Sequence, residues 1–291
     1  MPTTSGGRVV LAEVTPRTIR RRRLAVLVTV LVVAILGVAG FMSLRTVLVD
    51  VLPDSCVANT GRASVSLSAE QTANAATIAA LSIKRGMPPR AATIAIATAM
   101  QESKLRNLRV GDRDSVGLFQ QRPSQGWGTA QQILDPEYAT NAFYDALVKV
   151  KDYTGRPLTE VAQEVQRSGH PGAYAQHEDE AEVLSAVLTG AASTGLVCQL
   201  DAPTGAGDPA AVKAALGRQL GVSATVTGTT IQVDAADAVA WAAGAWAVAH
   251  AQGRSVARVR VADRSWTRSD PKTWQPVKGA AGVQIEVSAT G

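Results

Sequence analysis

Two apolar patterns divide the chain. The first is an uncharged run over residues 24–42, which as a helix would be about 28 Å long, the thickness of a bilayer core. The second starts at Ser68, where apolar residues take up helical spacing. Ser68 and Gln71 fit a capping box, and Ala75, Ile78, Ala79 and Leu81 form a stripe that ends at Gly86 and Pro88-Pro89. Residues 91–103 have almost no polar face, which predicts a helix buried on all sides. A loop over 107–128 follows, then helices at 129–134, from Asp135-Pro136 to about 153, at 158–167 and at 173–188, ending at Gly190. Past a Gly/Pro-rich stretch at 201–208 the periodicity changes. Residues 209–220 and 235–251 predict helices, and 229–233, 256–261 and 283–287 predict strands.

This pattern predicts a mainly α domain at 68–200 and a small α+β accessory domain at 209–291, joined by a linker at 201–208 and preceded by one transmembrane helix at 24–42 with a juxtamembrane linker at 43–67. Charge sharpens the reading of the N-terminus. Of 29 basic and 24 acidic side chains in 291 residues, residues 1–49 hold seven basic and one acidic, leaving 22 against 23 elsewhere. The net +5 therefore belongs to the tail, and the near-neutral remainder lacks the basic face a nucleic-acid-binding domain needs. Arg17 and Arg20 to Arg23 precede the apolar run, so a basic tail at 1–23 is expected in the cytoplasm and everything after Arg45 outside, in a single-pass membrane protein. The competing reading, a cleaved signal peptide, fits less well. Its apolar segment is usually about 7–15 residues long, and Val38-Ala39-Gly40 is a weak cleavage site.

The two cysteines, Cys56 and Cys198, both follow the apolar run, and an oxidising exterior favours pairing them. Such a bridge would stabilise the chain by up to about 5 kcal/mol. Two cysteines and the scattered His170, His177 and His250 offer no metal-ligand spacing, and no cofactor is expected.

The chemistry concentrates in residues 97–128. A buried helix ends in Glu102-Ser103, and about fifteen residues later comes Gly117-Leu118-Phe119-Gln120. A carboxyl at the C-terminal end of a buried helix is partly desolvated and faces the negative end of the helix dipole, and both effects oppose ionisation. Glycosidic cleavage needs such an acid, because the leaving oxygen must be protonated as the bond breaks. Taken alone, the pattern also fits a solvated glutamate at a frayed helix end.

The segment at 68–190 resembles the lytic transglycosylases and goose-type lysozymes, marked by a Glu-Ser pair at a helix end and a later Gly-Leu-Met-Gln motif. Here these are Glu102-Ser103 and Gly117-Leu118-Phe119-Gln120, with Phe for Met. Asp135-Pro136, followed by Tyr138 and Ala142-Phe143, is similar to the family's Asp/Asn-Pro step, and the wording of residues 111–129 resembles a group of actinobacterial envelope proteins. The resemblance implies a lysozyme-like fold for the helical domain, Glu102 as catalytic acid and peptidoglycan glycan strands as the partner. It also implies cleavage of the β-1,4 bond between N-acetylmuramic acid and N-acetylglucosamine, with 1,6-anhydro products. One departure is plain: the family's Ala-Tyr-Asn-Ala-Gly element has its nearest counterpart in residues 165–169, Val-Gln-Arg-Ser-Gly.

Ser103, Gln120, Gln121, Tyr138 and Gln166 are the candidate substrate-binding residues. Gln120 matches the motif, while Gln166 reads equally as a solvated helix residue. Ser103 lacks a His or Lys base at nucleophile spacing, so its expected task is to orient Glu102 or touch substrate. Asp112 and Asp114 are candidates for a second carboxylate or ordinary turn residues, and Trp127 reads as a sugar-stacking wall or a cover for the core. The alternative function is a non-catalytic peptidoglycan-binding or scaffold protein.

Overall fold

Helices form where caps and apolar spacing place them in the computed structural model, which describes residues 54–168, 172–203, 205–279 and 282–289. Strands β1 (Ser55–Asn59) and β2 (Ser64–Ser68) come first. Helix α1 (Ala69–Lys84) starts on the Ser68/Gln71 capping box, with both reciprocal bonds present. Helix α2 (Pro89–Ser103) is buried along nearly its whole length, and fully burying Ile94 and Ile96 contributes about 1.5–3 kcal/mol each. The short α3 (Ala130–Ile133) and α4 (Pro136–Leu147) follow, capped by Thr129 and Asp135. Then come α5 (Leu158–Gln166), a 3-10 turn (Ala173–His177), α6 (Glu178–Leu188) and β3 (Leu196–Gln199). The C-terminal part runs α7 (Pro209–Gln219), β4 (Ser223–Thr227), β5 (Thr230–Asp234), α8 (Asp237–Ala249), α9 (Ala251–Arg254), β6 (Val256–Val261), β7 (Arg264–Thr267), β8 (Asp270–Pro276) and β9 (Val283–Val287).

The expectation of a mainly α fold is corrected. The strands build two antiparallel sheets, one of three strands in the order β2-β1-β3 and one of six in the order β4-β5-β9-β6-β7-β8. Residues expected to be a juxtamembrane linker supply β1 and β2, and the segment read as all-helical ends in β3. The physical reason is separation along the chain. Cys56 pairs with Leu67 nearby, but its other cross-strand partner, Cys198, is 142 residues away. The β1–β2 hairpin is local, but β3 and the three-stranded sheet exist only through the pairing of β1 with β3, which is not written locally. The same register carries the Cys56–Cys198 disulfide, as the cysteine placement predicts. The membrane helix expected at 24–42 lies outside the described residues, as does the basic tail at 1–23. Among the described residues no helix is long and apolar enough to cross a membrane.

Residues 53–291 make one compact unit, in which the helical part and the C-terminal sheet share a continuous core. Helix α1 packs on α8 as well as on α4. Gly190, in the left-handed conformation after α6, lets α8 approach so closely that a methyl group there would meet the Ala238 carbonyl at 1.9 Å. A buried amide bridges the two parts. Gln219 Nε2 donates to Glu137 Oε1 (3.0 Å) on α4, and Gln219 Oε1 accepts from Trp246 Nε1 (2.6 Å) on α8. Trp274 Nε1 donates to the Leu196 carbonyl of β3 at 2.8 Å. The 201–208 stretch is fastened too, through Asp201 N to Asp54 Oδ1 and Gly207 N to the Ser288 carbonyl.

Candidate active site

The end of α2 is held from three sides. Helix α2 stops because Lys104 and Leu105 both adopt left-handed conformations, φ 54° and 59°, which cost non-glycine residues roughly 1–2 kcal/mol each. Leu105 is fully buried, and its amide and that of Lys104 satisfy the Ala99 and Met100 carbonyls. From α1, Gln71 Nε2 donates to the Lys104 carbonyl and Asn74 Nδ2 to that of Leu105, at 2.9 and 2.8 Å. The strained turn is thereby over-determined, and it fixes where Glu102 leaves the helix.

The second side is the motif turn. Gly117 N donates to the Leu108 carbonyl and Val116 N to the Gln121 carbonyl, closing residues 116–121 into a tight loop. Gly117 has φ +80°, and a side chain there would press on the Ile133 carbonyl at 2.7 Å, so the first position of the motif requires glycine. Phe119 is fully buried and stacks on Phe143 with centroids 4.6 Å apart. Ser103, itself buried, joins this turn to the helix: its Oγ donates to the Leu118 carbonyl at 2.7 Å. Ser103 is thus a positioning residue beside Glu102. Gln166 Nε2 donates to the Phe119 carbonyl at 2.7 Å, so α5 grips the turn from the other flank.

The third side is the 3-10 turn, and it holds the residue that sequence reasoning missed. Tyr174 Oη donates to Glu102 Oε1 at 2.7 Å. The tyrosine is almost fully buried; burial, and then its bond to Glu102, raise its pKa, so it carries its proton at neutral pH. Gln176 Nε2 and His177 Nε2 both reach Gln101 Oε1, clamping the turn onto the end of α2. Residues 165–169, the nearest counterpart of the Ala-Tyr-Asn-Ala-Gly element in the resemblance, contain no tyrosine. The available signal was the dipeptide Ala173-Tyr174, which resembles the start of that element but sits inside a stretch whose spacing predicts a continuous helix.

The other candidates fall in different places. Gln120, at φ 47°, spends its amide inside the loop, donating to the Gly117 carbonyl and accepting from Ser115 Oγ. Gln121 is buried and ties the loop to the Ala139 carbonyl of α4. Tyr138 is half-buried on α4 with its hydroxyl against Gly128. Asp112 is exposed. Asp114 accepts from the Ser124 amide, Arg122 Nε and Ser124 Oγ, which hold its carboxyl well below the usual carboxylate range. A carboxylate so stabilised is a weak base, and its bonds make it a clamp on the loop. Gln166 and Trp127 line a cleft of about 670 Å³, with Gln125, Lys149, Glu164 and Arg167. Trp127 packs one side on the core, so it serves both as cover and as cleft wall. No protein-family model and no curated protein matches this chain.

Proposed function

We propose that the protein cleaves peptidoglycan glycan strands as a lytic transglycosylase with Glu102 as its single acid and base. The observation that carries this is the bond from Tyr174 to Glu102 at a helix end that Ser103 couples to the Gly-Leu-Phe-Gln turn. Glu102 keeps one oxygen on a fixed donor, and its half-buried position leaves it able to meet a ligand. In the reaction the protonated carboxyl of Glu102 gives its proton to the leaving glycosidic oxygen. The resulting carboxylate takes the proton of the muramyl C6 hydroxyl as that oxygen closes onto C1, and Tyr174 stabilises the charge formed on Glu102 in between. Glu102 has regained a proton by the time the product leaves, and no water is consumed. A hydrolase would need a second carboxylate to activate water or form a covalent intermediate. Asp114 is committed to Arg122 and Ser124, which weighs against it in that role.

The disulfide supports a location outside the cytoplasm, where oxidising conditions preserve it. The experiment is mass spectrometry of muropeptides released from purified glycan strands by the wild type and by Glu102→Gln. Anhydro ends from the wild type and none from the variant are expected. Reducing ends that vanish in Asp112→Asn would make the protein a hydrolase. No release by a folded wild type that still binds glycan would make it a scaffold.

A further inference from the structure

The cleft beside the motif turn has a charge balance that a neutral sugar does not require. Lys149 and Arg167 line it and are exposed, and neither has a carboxylate partner among the described residues. Its one acidic residue, Glu164, is already paired with Arg156 at 2.8 Å. Arg167 sits in the left-handed conformation at the end of α5, immediately after Gln166, whose amide grips the Phe119 carbonyl. Arg167 is thereby tied to the turn that positions Glu102, and Lys149 lies two residues beyond the end of α4, the helix to which Gln121 ties the same turn. Trp127 adds an aromatic wall whose other side is packed on the core, a rigid surface for a sugar face.

We infer that this cleft is a subsite for the carboxylate-bearing substituent of a muramyl residue, with Lys149 and Arg167 binding the carboxylate and Trp127 stacking on the sugar ring. This rests on the proposed action on peptidoglycan and specifies which part of the polymer the cleft selects. Two exposed cations at the usual strength of surface ion pairs give about a tenfold preference at low ionic strength, and salt weakens it.

The test measures binding of the full chain, carrying Glu102→Gln to prevent turnover, to three ligands: neutral chitotetraose, a muramyl glycan stripped of peptide, and the same glycan with its peptides. Both muramyl ligands are expected to bind about tenfold more tightly than chitotetraose, with the preference shrinking as salt is raised. Preference for the stripped glycan places the lactyl carboxylate in the cleft, and preference for the peptide-bearing form alone places a peptide carboxylate there. Adding Lys149→Gln and Arg167→Gln should bring the muramyl and neutral ligands within twofold of each other, while Lys149→Arg with Arg167→Lys keeps the difference. Equal binding of charged and neutral glycans, or a preference that survives the charge-removing pair, overturns the subsite and leaves the proposed function standing. Absence of binding to any glycan overturns both.

Discussion

Removing the Ser103 hydroxyl tests how the site is held together. The Ser103→Ala substitution deletes the donor to the Leu118 carbonyl, a 2.7 Å bond from a side chain only 5 % exposed. Leaving a buried acceptor unpaired costs about 1–3 kcal/mol, whereas the partly exposed Gln166→Ala, which frees the Phe119 carbonyl, should cost about 0.5–1.5 kcal/mol because water can replace the amide. For a compact unit of this size each kcal/mol lowers Tm by roughly 2–4 °C, so Ser103→Ala is expected to melt about 2–12 °C early. The two acceptors are adjacent carbonyls of one turn. Once either tie is cut the turn can relax, and the second cut should cost less. Denaturant unfolding of both single variants and the double variant should therefore give a coupling energy of at least about 0.5 kcal/mol, with the double variant less destabilised than the sum. The proposed glycan cleavage should fall by roughly ten- to a hundredfold in Ser103→Ala with Glu102 intact, as expected when a reacting group shifts by about an ångström. Strict additivity would mean that the two ties act on separate structures. An unchanged Tm together with unchanged activity would remove Ser103 as the link between Glu102 and the motif.

Replacing Cys56 and Cys198 together by serine should destabilise the protein by up to about 5 kcal/mol, since the bridge closes a loop of 142 residues; denaturant midpoints of wild type and variant check this, and a difference below about 1 kcal/mol would contradict it. A chain ending at residue 201 should lose its cooperative unfolding transition in calorimetry, because Thr77, Glu137 and the Leu196 carbonyl lose their partners on His250, Gln219 and Trp274. Desolvation pushes His250 down to about 3, with Nδ1 donating to the Trp246 carbonyl and Nε2 facing Thr77. The unfolded chain takes up a proton near pH 6.5 that the folded chain refuses, so stability contributed by neutral His250 is present above that pH and is lost as pH falls from about 6.5 toward 3. The residue keeps some exposed surface, so the loss stays below the limit of about 1.4 kcal/mol per pH unit. His250→Gln should flatten the slope of unfolding free energy against pH over that window, with His177 leaving a smaller slope of the same sign.

The amino-acid sequence by itself determined the elements whose signals are local. The Ser68/Gln71 capping box, the Asp135-Pro136 start and the all-apolar face of α2 each depend on residues within a turn or two, and each appears in the structure where the pattern puts it. Glu102, Ser103 and the Gly117 motif stood out through the resemblance to lytic transglycosylases and goose-type lysozymes, since the residues alone also fit a solvated glutamate at a frayed helix end. Tertiary structure decided the rest. Strands β1, β2 and β3 are four or five residues long, and the local β1–β2 hairpin becomes a three-stranded sheet only when segments some 142 residues apart meet. The sequence read 201–208 as a boundary between two bodies. In the folded chain Gln219, His250 and Trp274 bind across to the helical part, because the apolar face of α8 is covered by α1 as well as by the sheet. Tyr174 lies 72 residues from Glu102, on a 3-10 turn whose helical periodicity concealed it, and only docking of that turn onto the end of α2 brings its hydroxyl to the carboxylate. Spacing can show that a chain carries an acid at a helix end, whereas the donor that meets this acid comes from a distant segment and is set by packing.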